Sequence, residues 1–270
     1  MIPKVIHYCW FGRNPLPADA VRCINSWKKF CPDYEIKEWN EDNFDLNSCL
    51  YVKQAYENKK WAFVSDYARF KILYDYGGFY FDTDVEIIRP IDELLILRGF
   101  MGIEKGCTMV NPGLGMGFVP HNNICKSIKD YYEESSFIEK DGKQNVKIVL
   151  DFATEVLERY GYSHEEKEIQ DVDGVSIFPY DYLCPIDYKT GVLELTQRTY
   201  SVHWYSGAWI SNDQRRVLEL EKKVSKVFGK KIGHVFERVY TFPQRVRRKI
   251  REEGFWGACI FSINKIKGRK

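Results

Sequence analysis

Between Trp61 and Tyr76 the apolar and aromatic side chains recur at helical spacing, Ala62, Tyr67, Phe70, Leu73 and Tyr74 among them. That period predicts a helix with one face turned to a core. Gly77-Gly78 ends it, the backbone punctuation expected at a helix C-terminus. A short apolar strand, Phe79 to Phe81, follows and closes on Asp82-Thr83-Asp84. Strand alternation then puts both carboxylates on one side and Thr83 on the other. The same two periods divide the rest of the chain. Ile2–Gly12, IPKVIHYCWFG, reads as a buried strand running into a loop, and Ala18–Phe30 as a helix. Tyr34–Trp39 alternates as a strand, Asn40–Asn47 is a polar loop, and Tyr51–Lys59 is a helix. Val85–Arg89 extends the strand past the acidic pair until Pro90 stops it. Ile91–Leu97 is a short helix or turn, Phe100–Glu104 is strand-like, and Asn122–Ser135 and Gln144–Tyr160 are helices. Val175–Phe178 and Thr199–His203 are strands, and a basic helix starts at Asp213. Strands alternating with helices give an α/β fold class.

Composition refines this picture in two places. With 270 residues, 44% hydrophobic and 16% aromatic, the chain builds one large domain, or one domain with an appended subdomain. The net charge of +2 announces no nucleic-acid partner. The charge is uneven, however: residues 215–270 hold 17 Lys/Arg against 5 Asp/Glu, leaving 23 against 33 in residues 1–214. The expected boundary therefore falls between residues 1–212 and a basic helical extension at 213–270. In that extension Arg245, Arg247, Arg248, Lys249 and Arg251 precede Phe255, Trp256, Ile260 and Phe261. Basic residues followed by aromatics suit an anionic membrane surface; the plainer reading is a solvated helix. No leader and no apolar run of membrane-spanning length is read here, and none of the eight cysteines forms a C-x-x-C pair. The expectation is a cytoplasmic chain with reduced thiols, peripheral to the inner face of a membrane.

The candidate chemistry centres on Asp82 and Asp84. Two carboxylates at a strand's end can hold a hard divalent cation, which can neutralise a departing diphosphate. An isolated Asp-x-Asp is most often a solvated turn, but here it closes a very apolar strand behind a Gly-Gly stop. Asp66 and Arg69 sit three apart and share a helix face, while Ser65 reads as a cap or a late first-turn residue. His7 and Trp10 lie near the C-terminal end of the first strand, where open α/β sheets face their ligands. Trp10 could stack on a base, or simply pack in the core. Between Met109 and Pro120, Gly113, Gly115 and Gly117 alternate without a phosphate-loop signature. They fit close approach by another backbone or a ligand. Asn111 is either an acceptor contact or a turn residue. Late in the chain, His203 could join the acidic pair as a metal donor, and the Trp209 indole N–H could reach a phosphate.

IPKVIHYCWFG, SDYARFKILYDYGGFYFDTDVE and HWYSGAW, in that order, resemble the glycosyltransferases with a DxD sugar-binding motif, glycosyltransferase family 32. The core is also similar to that of the clostridial glucosylating toxins. The resemblance runs from Ile2 to Trp209 in outline and is sharp in the three motifs, the middle one being the specific one. It implies a GT-A fold, a Rossmann-like α/β/α sandwich, and a nucleotide-sugar donor with Mn2+ or Mg2+. Asp84 is then the direct metal ligand, with Asp82 on metal, ribose or sugar and His203 as a further metal ligand. Ser65, Asp66 and Arg69 hold donor-sugar hydroxyls, His7 and Trp10 lie near the nucleobase, and Trp209 lies near the β-phosphate. Asp66, Arg69, Asp82 and Asp84 are the catalytic candidates, and no nucleophile is assigned. The resemblance further implies retention of anomeric configuration, a hexose donor with a UDP-sugar favoured over a GDP-sugar, and a glycan or lipid-linked acceptor in surface polysaccharide synthesis. Many members carry a second His and a Ser in the last motif; Trp204 and Ala208 stand there instead, with Ser206 as the available hydroxyl. Some members also carry a Thr-Gly-Pro that is missing before the helix of Val146.

Two other classes compete. A carboxylate-pair glycoside hydrolase would need acids flanking a bond, which Asp82 and Asp84 are too close in sequence to do. A non-catalytic membrane-surface module would rest on the basic extension alone.

Overall fold

A computed structural model describes residues 1–206 except 146 and 189, residues 212–229, and residues 232 and 235. The chain divides into two units, residues 1–187 with 193–209, and residues 188–192 with 210–270. The first unit carries β1 (Val5–Cys9), α1 (Ala18–Phe30), β2 (Glu35–Trp39), α2 (Leu50–Glu57), α3 (Trp61–Tyr76), β3 (Gly78–Tyr80), β4 (Val85–Ile87), β5 (Gly99–Gly102) and β6 (Met116–Phe118). It continues with α4 (Asn123–Glu133), α5 (Val149–Arg159), β7 (Gln170–Val172), β8 (Val175–Phe178), α6 (Tyr180–Leu183) and β9 (Ser201–His203). Described in the second unit is α7 (Asn212–Phe228), a helix as the basic pattern predicts. The stretch from 236 to 270, with the second basic segment and its aromatics, lies outside the described residues.

Seven strands form one sheet in the order β2-β1-β3-β6-β5-β8-β7. β1 runs parallel to β2 and β3, and β5 parallel to β8, while β6 and β7 are reversed. Strand alternation sorts the core. Ile6, Phe79, Phe100 and Phe178 point to one face, where they join Trp27 of α1. Tyr80, Met101, Phe118 and Ile177 point to the other, where they meet Tyr51, Phe70, Ile124 and Phe152 from α2 to α5. Helices therefore cover both faces, which is the α/β/α sandwich expected from the sequence. Both faces of the strands are buried, so they read as short apolar runs.

Two features position the site. Gly77 and Gly78 both take positive φ, 64° and 101°, so the chain leaves α3 and enters β3 without a spacer. A side chain at Gly78 would collide with the Val5 carbonyl, so this glycine also lets β3 close onto β1. The second feature departs from expectation. Val85–Ile87 does not extend β3 but pairs antiparallel with β9 as a separate two-stranded sheet, Val85 opposite His203. α1 pins it: Trp27 Nε1 donates to the Val85 carbonyl at 2.7 Å, and the Ile87 amide donates to Ser26 Oγ at 2.9 Å.

Candidate active site

β3 ends at Tyr80, and Asp82-Thr83-Asp84 forms a turn closed by the Val85 amide on the Asp82 carbonyl, 3.0 Å. The two carboxylates therefore emerge from a turn at the C-terminal edge of the sheet. Strand order reverses there between β1 and β3, the usual place for a ligand crevice in such sheets.

The turn sends the two acids to different partners. Asp82 Oδ1 accepts from the Tyr80 hydroxyl at 3.0 Å and lies 3.3 Å from Arg69 Nη2. The same Nη2 donates to Asp66 Oδ1 at 2.9 Å, as the three-residue spacing on α3 predicts. Arg69 Nε is tied to the Ser65 carbonyl at 3.1 Å, and its guanidinium lies over the Tyr80 ring at 4.8 Å. Arg69 is buried, and its Nη1 has no hydrogen-bond partner, leaving one donor of a buried cation open. Burial is the largest influence on Asp66. It pushes the carboxyl up to about 7, against the pull of Arg69 and with a further push from Asp82. Burial also raises Asp82, with Arg69 opposing.

Asp84 faces β9. Its Oδ1 is ion-paired with His203 Nε2 at 3.1 Å, and its Oδ2 accepts from the Ser206 amide at 2.8 Å and the Ser206 hydroxyl at 3.0 Å. Burial works to raise Asp84, but His203 and Ser206 outweigh it and hold the carboxyl well below the usual range. Burial likewise disfavours a charged His203, yet the Asp84 carboxylate raises its pKa well above the ordinary histidine value. The other ring nitrogen, Nδ1, is buried without a hydrogen-bond partner. The backbone joins the two segments as well: the Trp204 amide donates to the Asp84 carbonyl at 3.0 Å.

A divalent cation fits part of this arrangement. One carboxylate and one imidazole are donors suited to Mn2+ or Mg2+, and such ions take their remaining ligands from water and phosphate. Among the described residues no three His, Cys, Asp or Glu converge on one point. Asp84 and His203 are brought together, whereas Asp82 is held by Arg69 and Tyr80.

Other sequence-derived candidates fall into place differently. Ser65 does not cap α3, which starts four residues earlier; its hydroxyl donates back to the Trp61 carbonyl at 3.2 Å. His7 is a core residue rather than a base contact. Its Nε2 donates to the Gly77 carbonyl at 3.0 Å and its Nδ1 accepts from Trp39 Nε1 at 3.0 Å, so both ring nitrogens are spent on the fold. Burial lowers its pKa to about 4, which keeps it neutral. Trp10 is half-buried just past β1, its indole N–H on the Asn14 carbonyl at 2.6 Å. Asn111 follows the turn reading: Oδ1 accepts from the Gly113 amide at 2.8 Å and Nδ2 donates to Glu104 at 2.5 Å. Trp209 and Ala208 lie outside the described residues. The alternating glycines do mark close approaches. A Cβ at Gly113 would strike Asp82 Oδ2, and Cβ atoms at Gly115 and Gly117 would strike Phe81 and Phe100. Sequence reasoning missed Tyr80, which the period of two places on the face of Asp82.

Residues 17–100 match the family described as glycosyltransferase sugar-binding region containing DXD motif. Inositol phosphoceramide mannosyltransferase 3 of Schizosaccharomyces pombe is 34% identical over 98 residues, covering 35% of this chain and 27% of that protein. An uncharacterized glycosyltransferase of Acanthamoeba polyphaga mimivirus is 24% identical over 193 residues, covering 66% of this chain and 74% of that protein. Among solved structures, the PaToxG glycosyltransferase aligns with a TM-score of 0.47 at 18% identity, covering 58% of this chain and 69% of that one. The chain spans no more than about a third of the length of the two fission-yeast mannosyltransferases it matches. α3, the Gly77-Gly78 stop and Asp82-Thr83-Asp84 all lie inside the stretch, residues 17–100, that is similar to the glycosyltransferase sugar-binding region containing the DXD motif.

Proposed function

We propose that the chain is a retaining, divalent-metal-dependent glycosyltransferase that moves a hexose from a nucleotide sugar to a glycan or lipid-linked acceptor. The observation that carries this reading is the pair of facing clusters, Asp66–Arg69–Asp82 from α3 and β3, and Asp84–His203–Ser206 across the β4–β9 pairing. Asp66 and Arg69 orient sugar hydroxyls, the open Arg69 Nη1 being a donor in want of an oxygen. Asp82, held by Arg69 and Tyr80, would contact the donor sugar, ribose or metal, and Asp84 with His203 would hold Mn2+ or Mg2+. A cation held there would supply neutralisation of the leaving diphosphate's charge. The protein's own contribution is positioning, since Asp82 and Asp84 are each fixed by two partner residues, and Asp66 by Arg69, before a donor arrives. Trp10, half-buried past the end of β1, would line the base subsite. A UDP-hexose remains the favoured donor. The printed names of the yeast relatives make mannose the sugar to test beside it, and their inositol phosphoceramide supports the lipid-linked side of the acceptor class. The basic C-terminal extension would dock the enzyme at the cytoplasmic face of a membrane, where such acceptors reside.

Calorimetry with UDP, GDP and CMP and their sugars, each with Mn2+, tests the reading. One nucleotide should bind only with the metal, and Asp84→Ala should abolish that dependence, a loss of tenfold or more, about 1.4 kcal/mol. Metal-independent binding of the same strength in both proteins would sink the assignment.

A further inference from the structure

The segment after β9 has to deliver Ser206 to Asp84, and the residue that makes the turn is Tyr205. Its φ is 50°, in the left-handed region that a non-glycine residue occupies only when its surroundings hold it there. Two contacts do so. The Tyr205 ring packs edge-on against the His203 ring, centroids 4.3 Å apart at 66°. Its hydroxyl lies 3.1 Å from the Cys184 sulfur, at the end of α6. Cys184 is fully buried, and the Tyr200 amide donates to the Tyr182 carbonyl at 2.8 Å, fixing α6 to the run into β9. A fixed anchor thus holds a strained turn on both sides of which stand partners of Asp84.

We propose that Tyr205 is a positioning residue: seated on His203 and latched to Cys184, it sets the geometry in which His203 and Ser206 grip Asp84. The inference rests on the metal-site reading above only for its consequence, not for the latch itself. The ring restricts the imidazole, which has no hydrogen bond at Nδ1 to orient it. The usual orienting partner of a ligating histidine is a carboxylate or carbonyl on that second nitrogen. Here an aromatic edge shares the task with the Cys184 sulfur, which also neighbours the imidazole. The left-handed turn, in the same move, brings the Ser206 amide and hydroxyl onto one carboxylate oxygen. His203 and Asp84 are thereby set as a pair before any cation arrives.

Three variants of the full chain separate the latch from simple stability. Tyr205→Phe keeps the ring and removes the hydroxyl. Tyr205→Ala removes both, and Tyr205→Gly removes both while accepting the positive φ without strain. Amide exchange at Ser206, measured without metal, reads the latch directly. Protection should fall at least about tenfold in the Ala and Gly variants relative to neighbouring core amides, with Phe between them and the parent. Mn2+ affinity in the presence of UDP and of GDP, read by electron paramagnetic resonance, should fall about 10–100-fold in Ala and Gly while melting temperature in Gly stays near the parent's. Unchanged Ser206 protection in Tyr205→Gly overturns the proposal, as does Mn2+ binding within twofold of the parent. If the parent itself binds no Mn2+ with either nucleotide, the functional reading fails, and the exchange result alone decides the latch.

Discussion

Arg69 shows how one buried side chain organises a site. A guanidinium taken out of water needs acceptors, and it has recruited two carboxylates and a carbonyl, with a tyrosine ring below it. The cost falls on the acids. Asp66 is pushed up to about 7 by burial despite its ion pair. The sign of the pH effect follows. A carboxyl whose pKa is raised on folding binds its proton more readily in the folded chain, so its stabilising share is complete below the unfolded value and is lost as pH rises through about 7. Asp66→Asn cannot ionise and is spared that loss. Chemical unfolding of the two proteins between about pH 5.5 and 8.5 should therefore show the parent losing stability relative to the variant as pH rises. A difference that stays flat across this range would mean that Asp66 is not the group that titrates. His7 makes the complementary point. Its type and position near a strand end fitted a ligand contact, but the chain spends it between Trp39 and Gly77. The partner that decides this, Trp39, sits on the neighbouring strand, where register and not local pattern sets the contact.

At the scale of elements, the glycine-spaced loop before β6 carries the Asp82 carboxylate on its back. Asn111 caps a short 3-10 turn over Pro112–Leu114, and that turn presses Gly113 against Asp82 Oδ2. Gly113 does not have positive φ, so only space forbids a side chain there. Gly113→Ala should leave the sheet intact and displace Asp82 from Arg69 and Tyr80. Donor affinity should drop about tenfold or more, about 1.4 kcal/mol, with a smaller change in melting temperature. Equal affinity in a folded variant would show that Asp82 tolerates the shift. Helices α1 and α3 were legible residue for residue because their apolar spacing and their Gly-Gly or loop boundaries are local signals. So was the Asp66–Arg69 face, whereas the Asp-x-Asp pair expected on one side of a strand sits in a turn that sends its two acids to different partners. The fate of Val85–Ile87 was not legible. Its partner β9 lies more than a hundred residues on, and the period of two is the same whether a strand continues or changes sheets. Ser65 misled for a related reason: its hydroxyl can cap a helix start or bond back one turn, and only the true start at Trp61 distinguishes them.

For the whole molecule, the opposed charges of its two parts are the broadest property the sequence states, 33 acidic side chains against 23 basic before residue 215 and 17 basic against 5 acidic after it. An acidic body is repelled by an anionic bilayer, so any attraction must come from the extension. Each basic side chain held near such a surface contributes about 1 kcal/mol, and the attraction decays within a Debye length. Those two facts make the membrane reading separable from catalysis. The full chain should sediment with vesicles containing phosphatidylserine and not with neutral phosphatidylcholine vesicles. Raising the salt to about 0.5 M should release it, because screening then shortens the reach of the surface charge to a few ångströms. Removing residues 241–270 should abolish vesicle binding while metal-dependent nucleotide binding persists, since every residue of the Asp66–Asp84–His203–Ser206 assembly precedes residue 207. Loss of nucleotide binding in a folded truncation would tie the extension to the donor site instead. Binding to neutral vesicles that survives salt would make the aromatics after Arg251, rather than the charges, the source of attraction.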